Sequence, residues 1–94
     1  GFAYMGHQYK LTVGDDDYFM DMLFYNVQLS CYFVIEMKTT AVKPEHIGKL
    51  NFYLAVVDDH LRKPHDNPSI GLLLCKKHNK LVAEYSLKRT DGAI

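Results

Sequence analysis

The fold of this chain is decided by residues 18–38, which read YFMDMLFYNVQLSCYFVIEMK. Two runs in this stretch, YFMDMLFY and CYFVIEMK, are rich in aromatic, aliphatic and β-branched residues and predict two central strands covered on both faces. Charged groups are costly inside such strands unless a partner or a metal compensates them. Asp21, Glu36 and Lys38 are charges of this kind.

The register of the two strands follows from their turn. If residues 28 and 29 form a two-residue turn, the antiparallel count places Asp21 opposite Glu36, and the pleat puts Lys38 on the same face. Facing carboxylates repel unless one is protonated or a cation bridges them, and Mg²⁺ prefers such oxygen ligands. A nearby lysine can orient water or stabilise a phosphate oxygen. The spacing therefore favours metal-dependent phosphodiester hydrolysis, with a buried ion pair that fixes the register as the alternative.

The remaining segments predict a mixed α/β sheet. Residues 2–13 read as a first strand that ends in a tight turn, so the first three strands form an antiparallel meander. Helical spacing from Pro44 to residues 60–63 predicts a crossover helix, in which Gly48 is expected to allow close packing on the sheet. The apolar run 69–75 then predicts a parallel strand, and 81–87 an edge strand.

Composition limits the classes of protein. Eleven basic and eleven acidic residues give a formal net charge of zero, so any nucleic-acid contact depends on local patches. No apolar run approaches the roughly 18 residues of a spanning helix, and the N-terminus does not resemble a secretory signal. A cytoplasmic protein without a membrane partner is expected. Cys31 and Cys75 are expected to be free buried thiols, and the start without Met suggests a fragment of a longer protein.

The order of these elements resembles the PD-(D/E)XK nuclease superfamily, with Asp21 in the second strand and Glu36-x-Lys38 in the third. Four longer strings more closely resemble the C-terminal nuclease-like domain of bacterial YhcG-type proteins. They are GFAYMGHQY, DYFMDMLFYNVQLSCYFVIEMKT, KPEHIGKLNFYLAVVDDHLR and NPSIGLLLCKKHNKLVAEYSL. The resemblance extends along nearly the whole chain.

This resemblance implies a restriction-endonuclease-like fold, in which residues 1–94 form a single nuclease-like domain with a mixed sheet flanked by helices. It implies that Asp21 and Glu36 bind Mg²⁺ or Mn²⁺, that Lys38 is the catalytic lysine, and that DNA is the substrate. The superfamily usually begins with a helix that this chain lacks, and Met20 stands where the motif has proline. An upstream N-terminal domain is an expected partner, and a sheet face left open by the missing helix would pair with a second copy.

Three auxiliary residues follow from the same resemblance. Lys49 and Tyr53 hold the spacing of a Gln and Tyr pair that related nucleases direct towards the site, although the Gln is replaced here. Gln8 on the first strand is a further auxiliary polar group. The alternatives are a solvated lysine, a core tyrosine and an ordinary strand glutamine.

A short basic cluster follows the predicted parallel strand. Lys76, Lys77 and Lys80 are predicted to contact nucleic-acid phosphates from a loop, and a solvated basic loop is the alternative.

Two other functions remain open from the sequence. One is a catalytically inactive nuclease-fold module for nucleic-acid binding or protein assembly. The other is a dimerisation domain that uses exposed aromatic residues such as Phe2, Tyr4 and Phe52.

Overall fold

The structure is a computed structural model that describes residues 1–77 and 80–88. Within these residues, five strands and one helix follow one another. They are β1 (Phe2–Val13), β2 (Asp16–Asn26), β3 (Cys31–Lys38), α1 (Pro44–His60), β4 (Ile70–Lys77) and β5 (Lys80–Lys88). Each predicted element is present, and the boundaries differ by a few residues.

The strands form one mixed sheet in the order β1-β2-β3-β4-β5. The first three are antiparallel neighbours, β4 is parallel to β3, and β5 is antiparallel to β4 at the sheet edge. A parallel neighbour requires a crossover connection, which α1 supplies. The predicted meander, crossover helix, parallel strand and edge strand are therefore confirmed.

The β2–β3 hairpin keeps the predicted register but not the predicted turn. The pairs run from Asn26↔Cys31 to Met22↔Ile35, as a two-residue turn would also give. The strands instead end before a four-residue connection, because the Asn26 side-chain oxygen accepts a 2.7 Å hydrogen bond from the Leu29 N–H. The Asn26 side chain thus closes a four-residue loop, and the pair of Val27 with Ser30 that a two-residue turn requires is not formed.

Helix α1 packs against one face of the sheet. It begins with Pro44 in the first turn and Glu45 beside it, where a fixed φ and a negative charge both suit a helix N-terminus. Its buried side chains form one core with those of the strands: Met20, Leu23, Val34, Leu50, Tyr53, Leu54, Val57 and Leu73. Among the described residues, no helix is long and apolar enough to cross a membrane.

The glycine that permits close packing of helix and sheet is Gly71, not Gly48. Apart from its chain neighbours and the backbone of its own helix, a Cβ atom at Gly48 would meet nothing within 4 Å. The expectation that Gly48 allows close packing of the helix on the sheet was therefore wrong. A Cβ atom at Gly71 would lie 2.9 Å from Cγ of Leu50, a side chain with 0% exposure. The close approach is therefore made by the strand backbone of β4 under the helix.

The expected cover on both faces of the sheet is found on only one among the described residues. On the face away from α1, Phe2 packs edge-on against Phe24 and Phe33, yet remains 60% exposed. These rings and the side chains of Ile35 and Leu72 line an apolar groove. The strands read as doubly covered because this second face is apolar as well.

Candidate active site

Asp21 and Glu36 lie next to each other just beyond Met22↔Ile35, the last regular pair between β2 and β3. The Asp21 backbone N–H donates a 2.8 Å hydrogen bond to Glu36 Oε2, and the Met37 N–H donates a 2.8 Å hydrogen bond to Asp21 Oδ2. Each carboxylate is thus fixed by the backbone of the opposite strand. The predicted proximity of the two carboxylates is observed, and their position one residue beyond Met22↔Ile35 follows the predicted register.

Strand β2 changes its inward face at this point. Met20 and Leu23 both belong to the core under α1, although alternation would send residues three apart to opposite faces. The change of face therefore falls between Met20 and Leu23, where the β1–β2 pairing skips Gln8 and Asp21. It frees the Asp21 N–H from the β-ladder, and the Glu36 side chain accepts from it instead.

The Glu36 carboxyl is buried and electrostatically unfavourable as an anion. Glu36 is only 2% exposed, and burial raises the pKa of its carboxyl above the usual 4.5. The hydrogen bond from the Asp21 backbone lowers this pKa and the Asp21 charge raises it, while the positive charges of Lys49 and Lys38 lower it. A cation at this position would offset both the burial and the repulsion.

Lys38 ends β3 two residues after Glu36, so the pleat places both side chains on the same face. Lys38 is half-buried, and its charge acts on the Glu36 carboxyl. The structure thus brings Asp21, Glu36 and Lys38 together at the carboxyl end of a central strand.

Lys49 and Tyr53 lie one turn apart on α1 and face this group. The Lys49 Nζ atom lies 5.6 Å from the centroid of the Tyr53 ring. Tyr53 is 4% exposed, and its pKa is raised by burial and then by the negative charges of Glu36 and Asp21. Both side chains are therefore within electrostatic reach of the carboxylates, and Tyr53 is a core residue at the same time.

Gln8 reaches the group from β1. Its Nε2 donates a 3.1 Å hydrogen bond to Asp21 Oδ1, and its backbone has a φ of 47°. Gln8 was predicted from the sequence, but the Met37 N–H was not, because a backbone donor does not depend on the residue type. The predicted register, which places Glu36 opposite Asp21, could have indicated that the next backbone N–H lies close to the Asp21 side chain.

The basic cluster does not join the carboxylates, although it begins at the same end of the sheet. Lys76 and Lys77 belong to the end of β4 rather than to a loop, and Lys77 pairs with Lys80 at the start of β5. Lys38 pairs with Cys75, so Lys76 is at the same end of the sheet. Cys75 is buried and lies two residues after Leu73 of the core under α1, so alternation directs Lys76 to the other face, away from the carboxylates. His78, which belongs to the same basic cluster in the sequence, falls outside the described residues.

A second cluster of polar side chains, around Asp66, connects the loop after α1 to β2. The Asp66 side chain accepts hydrogen bonds from the Tyr25 hydroxyl and the Lys63 N–H, and it lies 3.3 Å from His65 Nε2. Burial alone would raise the pKa of Asp66, but these donors and the charges of His65 and Arg62 hold it below its usual value. These contacts satisfy Asp66 within the fold.

Comparison with known proteins adds to this geometry. The family model of the YhcG PDDEXK nuclease domain matches residues 1–94. The chain belongs to this family. A protein of Escherichia coli strain K12 named "Putative nuclease YhcG" is 33% identical over 86 residues, which are 92% of this chain and 23% of that protein. No solved structure matches.

The YhcG-type resemblance inferred from the strings above is thereby confirmed. The mixed five-stranded sheet with one helix is the α/β arrangement expected of a restriction-endonuclease-like fold. Membership of the PDDEXK nuclease domain family supports a nuclease-type function.

The donor set of this YhcG-type domain fits a hard divalent cation. Two carboxylates converge, and burial and mutual repulsion both favour a positive charge beside them. In residues 1–77 and 80–88, no group of three or more His, Cys, Asp or Glu side chains could hold a metal. Mg²⁺ typically uses one or two carboxylates and completes its shell with water and substrate phosphate, so a two-carboxylate site suits it.

Proposed function

We propose that this domain is a Mg²⁺- or Mn²⁺-dependent nuclease that hydrolyses phosphodiester bonds in DNA. The observation that carries the proposal is the pair of 2.8 Å hydrogen bonds by which β2 and β3 fix Asp21 and Glu36. The alternative, a buried Asp–Lys or Glu–Lys ion pair, would hold a carboxylate through a lysine, whereas here each carboxylate accepts a hydrogen bond from a backbone N–H of the opposite strand. That arrangement leaves carboxylate lone pairs for a metal.

Each residue has a proposed role. Asp21 and Glu36 would hold the metal, which supplies Lewis-acid polarisation of the phosphate and a more acidic bound water. Lys38 would orient the attacking water or stabilise charge on a phosphate oxygen. Lys49 would balance the charge of Glu36. Tyr53 would line one side of the site, since it is packed in the core beside both carboxylates.

The substrate and its partners belong to the same proposal. The neutral net charge supplies no general attraction to DNA, so affinity would come from other parts of a longer protein, or from local lysines such as Lys76, Lys77 and Lys80. The chain spans only 23% of its E. coli relative, which fits a module that works beside an N-terminal domain.

Cleavage of plasmid and oligonucleotide DNA in Mg²⁺ or Mn²⁺ tests the proposal. Wild-type full-length protein should cut, whereas Glu36→Ala and Lys38→Ala should not. Lys10→Ala is the control, because Lys10 is an exposed lysine of β1. Its neighbours Tyr9 and Leu11 pack against the core under α1, so alternation turns Lys10 to the other face, away from the carboxylates. Wild type that cuts no better than Glu36→Ala and Lys38→Ala would refute the nuclease activity.

One observation favours the non-catalytic alternative. The sheet face away from α1 exposes a contiguous apolar surface that includes Phe2, 60% exposed, and Tyr4, 53% exposed. Large exposed apolar patches mark contact surfaces, so assembly is the second candidate function. Loss of assembly in Phe2→Ser, together with no cleavage by any variant, would favour it.

A further inference from the structure

Gln8 has a backbone conformation that side chains rarely adopt inside a strand. Its φ of 47° lies in the left-handed region, where residues other than glycine are disfavoured. Such strain persists when surrounding structure imposes it, and it is concentrated at functional sites.

The strained residue lies opposite the irregular part of β2. The pairs His7↔Met22 and Tyr9↔Met20 place Gln8 across from Asp21. This is also where β2 changes its inward face between Met20 and Leu23. The two departures from regular strand geometry therefore face each other across the same ladder.

The side chain of Gln8 completes the support of Asp21. Its amide donates to Oδ1 over 3.1 Å, while the Met37 N–H donates to Oδ2 over 2.8 Å. Two donors from the strands on either side of β2 fix the rotation of one carboxylate. Groups that hydrogen-bond a metal ligand orient it and tune its affinity.

We propose that Gln8 is a positioning residue that orients the Asp21 carboxylate for a divalent cation, and that its strained backbone serves this contact. The inference rests on the proposed metal-dependent function. The competing explanation is that the hydrogen bond merely joins β1 to β2.

A second contact between the same strands provides the control. Thr12 Oγ1 donates a 2.6 Å hydrogen bond to Asp17 Oδ1, and these two exposed residues are also directly paired. Thr12→Val removes a cross-strand side-chain bond of the same kind far from Asp21. If Gln8 only joined the strands, both losses would act in the same way.

Mn²⁺ affinity and the thermal midpoint of the metal-free protein should be measured for Gln8→Met, Gln8→Gly and Thr12→Val. Gln8→Met removes the amide and keeps the length and the strain, whereas Gln8→Gly removes the amide and relieves the strain. Both should weaken Mn²⁺ binding roughly tenfold, while the midpoint of Gln8→Gly lies above that of Gln8→Met. Thr12→Val should bind Mn²⁺ as wild type does.

Gln8→Met binding Mn²⁺ within about twofold of wild type would overturn the proposal. The proposal would also be overturned if the loss of Mn²⁺ affinity followed the loss of thermal midpoint across all three variants, Thr12→Val included. Asp21→Asn separates this failure from failure of the proposed function. If Asp21→Asn also binds Mn²⁺ as wild type does, the metal site itself is wrong; if it loses binding and Gln8→Met keeps it, only the positioning role is wrong.

Discussion

The Asp21 backbone N–H donates to Glu36 Oε2 over 2.8 Å, so the side chain of one carboxylate residue caps the main chain of the other. This bond is available because β2 departs from the regular ladder there. It places a 2% exposed carboxylate next to a second one. Burial and the repulsion between the two carboxylates are therefore unfavourable for the Glu36 anion, and a bound cation would offset both.

Glu36→Gln should make the metal-free protein more stable at pH 7. Burial and the Asp21 charge disfavour the Glu36 anion, whereas a glutamine keeps an acceptor for the Asp21 N–H without the charge. Thermal unfolding in a chelator should give a higher midpoint for the variant. Mg²⁺ should then raise the wild-type midpoint and leave that of the variant unchanged. A variant less stable than wild type in chelator would contradict this account of Glu36.

Lys38→Ala should separate metal binding from cleavage. Lys38 follows Glu36 on the same face but supplies no metal-ligand oxygen, so its loss should leave the Mn²⁺ affinity within a few-fold of wild type. The cleavage rate should fall by a factor on the order of 10² or more, since an electrostatic group directed at the reacting phosphate is removed. Lys10→Ala, measured beside it, should match wild type in both. Parallel losses of binding and cleavage in Lys38→Ala would assign Lys38 to charge balance alone.

Gly71→Ala and Gly48→Ala should change stability in opposite directions. At Gly71 the added carbon meets Leu50 Cγ at 2.9 Å within the core, and overpacking of this kind costs roughly 1–3 kcal/mol. At exposed Gly48 nothing lies within 4 Å, and alanine in a helix is favoured by about 1 kcal/mol. Denaturant unfolding of both variants measures these values. Equal effects would show that the helix does not pack on β4 as described.

Asp66→Asn should lower the thermal midpoint at pH 7, and the loss should disappear in acid. Asp66 has a pKa held below its usual 3.8, so its charged form stabilises the fold above that pH. This contribution is lost as the pH falls through the lower folded-state pKa. The difference in thermal midpoint between wild type and variant should be measured from about pH 2 to about pH 7, the range in which carboxyl groups titrate. A difference that does not change with pH would contradict an ionised Asp66.

Much of the fold could be predicted because its signals are local. Apolar runs located the strands, Pro44 and the helical spacing located α1, and the short loop fixed the β2–β3 register even though Asn26 changed the turn. The approach of Asp21 to Glu36 follows from that register.

The remaining features depend on contacts between distant residues. Gly71 cannot be told from Gly48 without knowing that Leu50 lies over β4. The left-handed conformation of Gln8 depends on the irregularity of β2 across the ladder. The extension of β4 to Lys77 depends on its pairing with Lys80, and this pairing moved the lysines out of the expected loop.

Calorimetric titration of Mn²⁺ into wild type and Asp21→Asn at neutral pH tests most directly whether Asp21 binds a divalent cation. Asn keeps the size and one acceptor oxygen of the side chain, so the fold should persist while the anionic ligand is lost. Wild type should bind Mn²⁺ saturably, and the variant should lose at least tenfold in affinity. Equal affinity in the two proteins, or no binding to wild type, would contradict this role of Asp21.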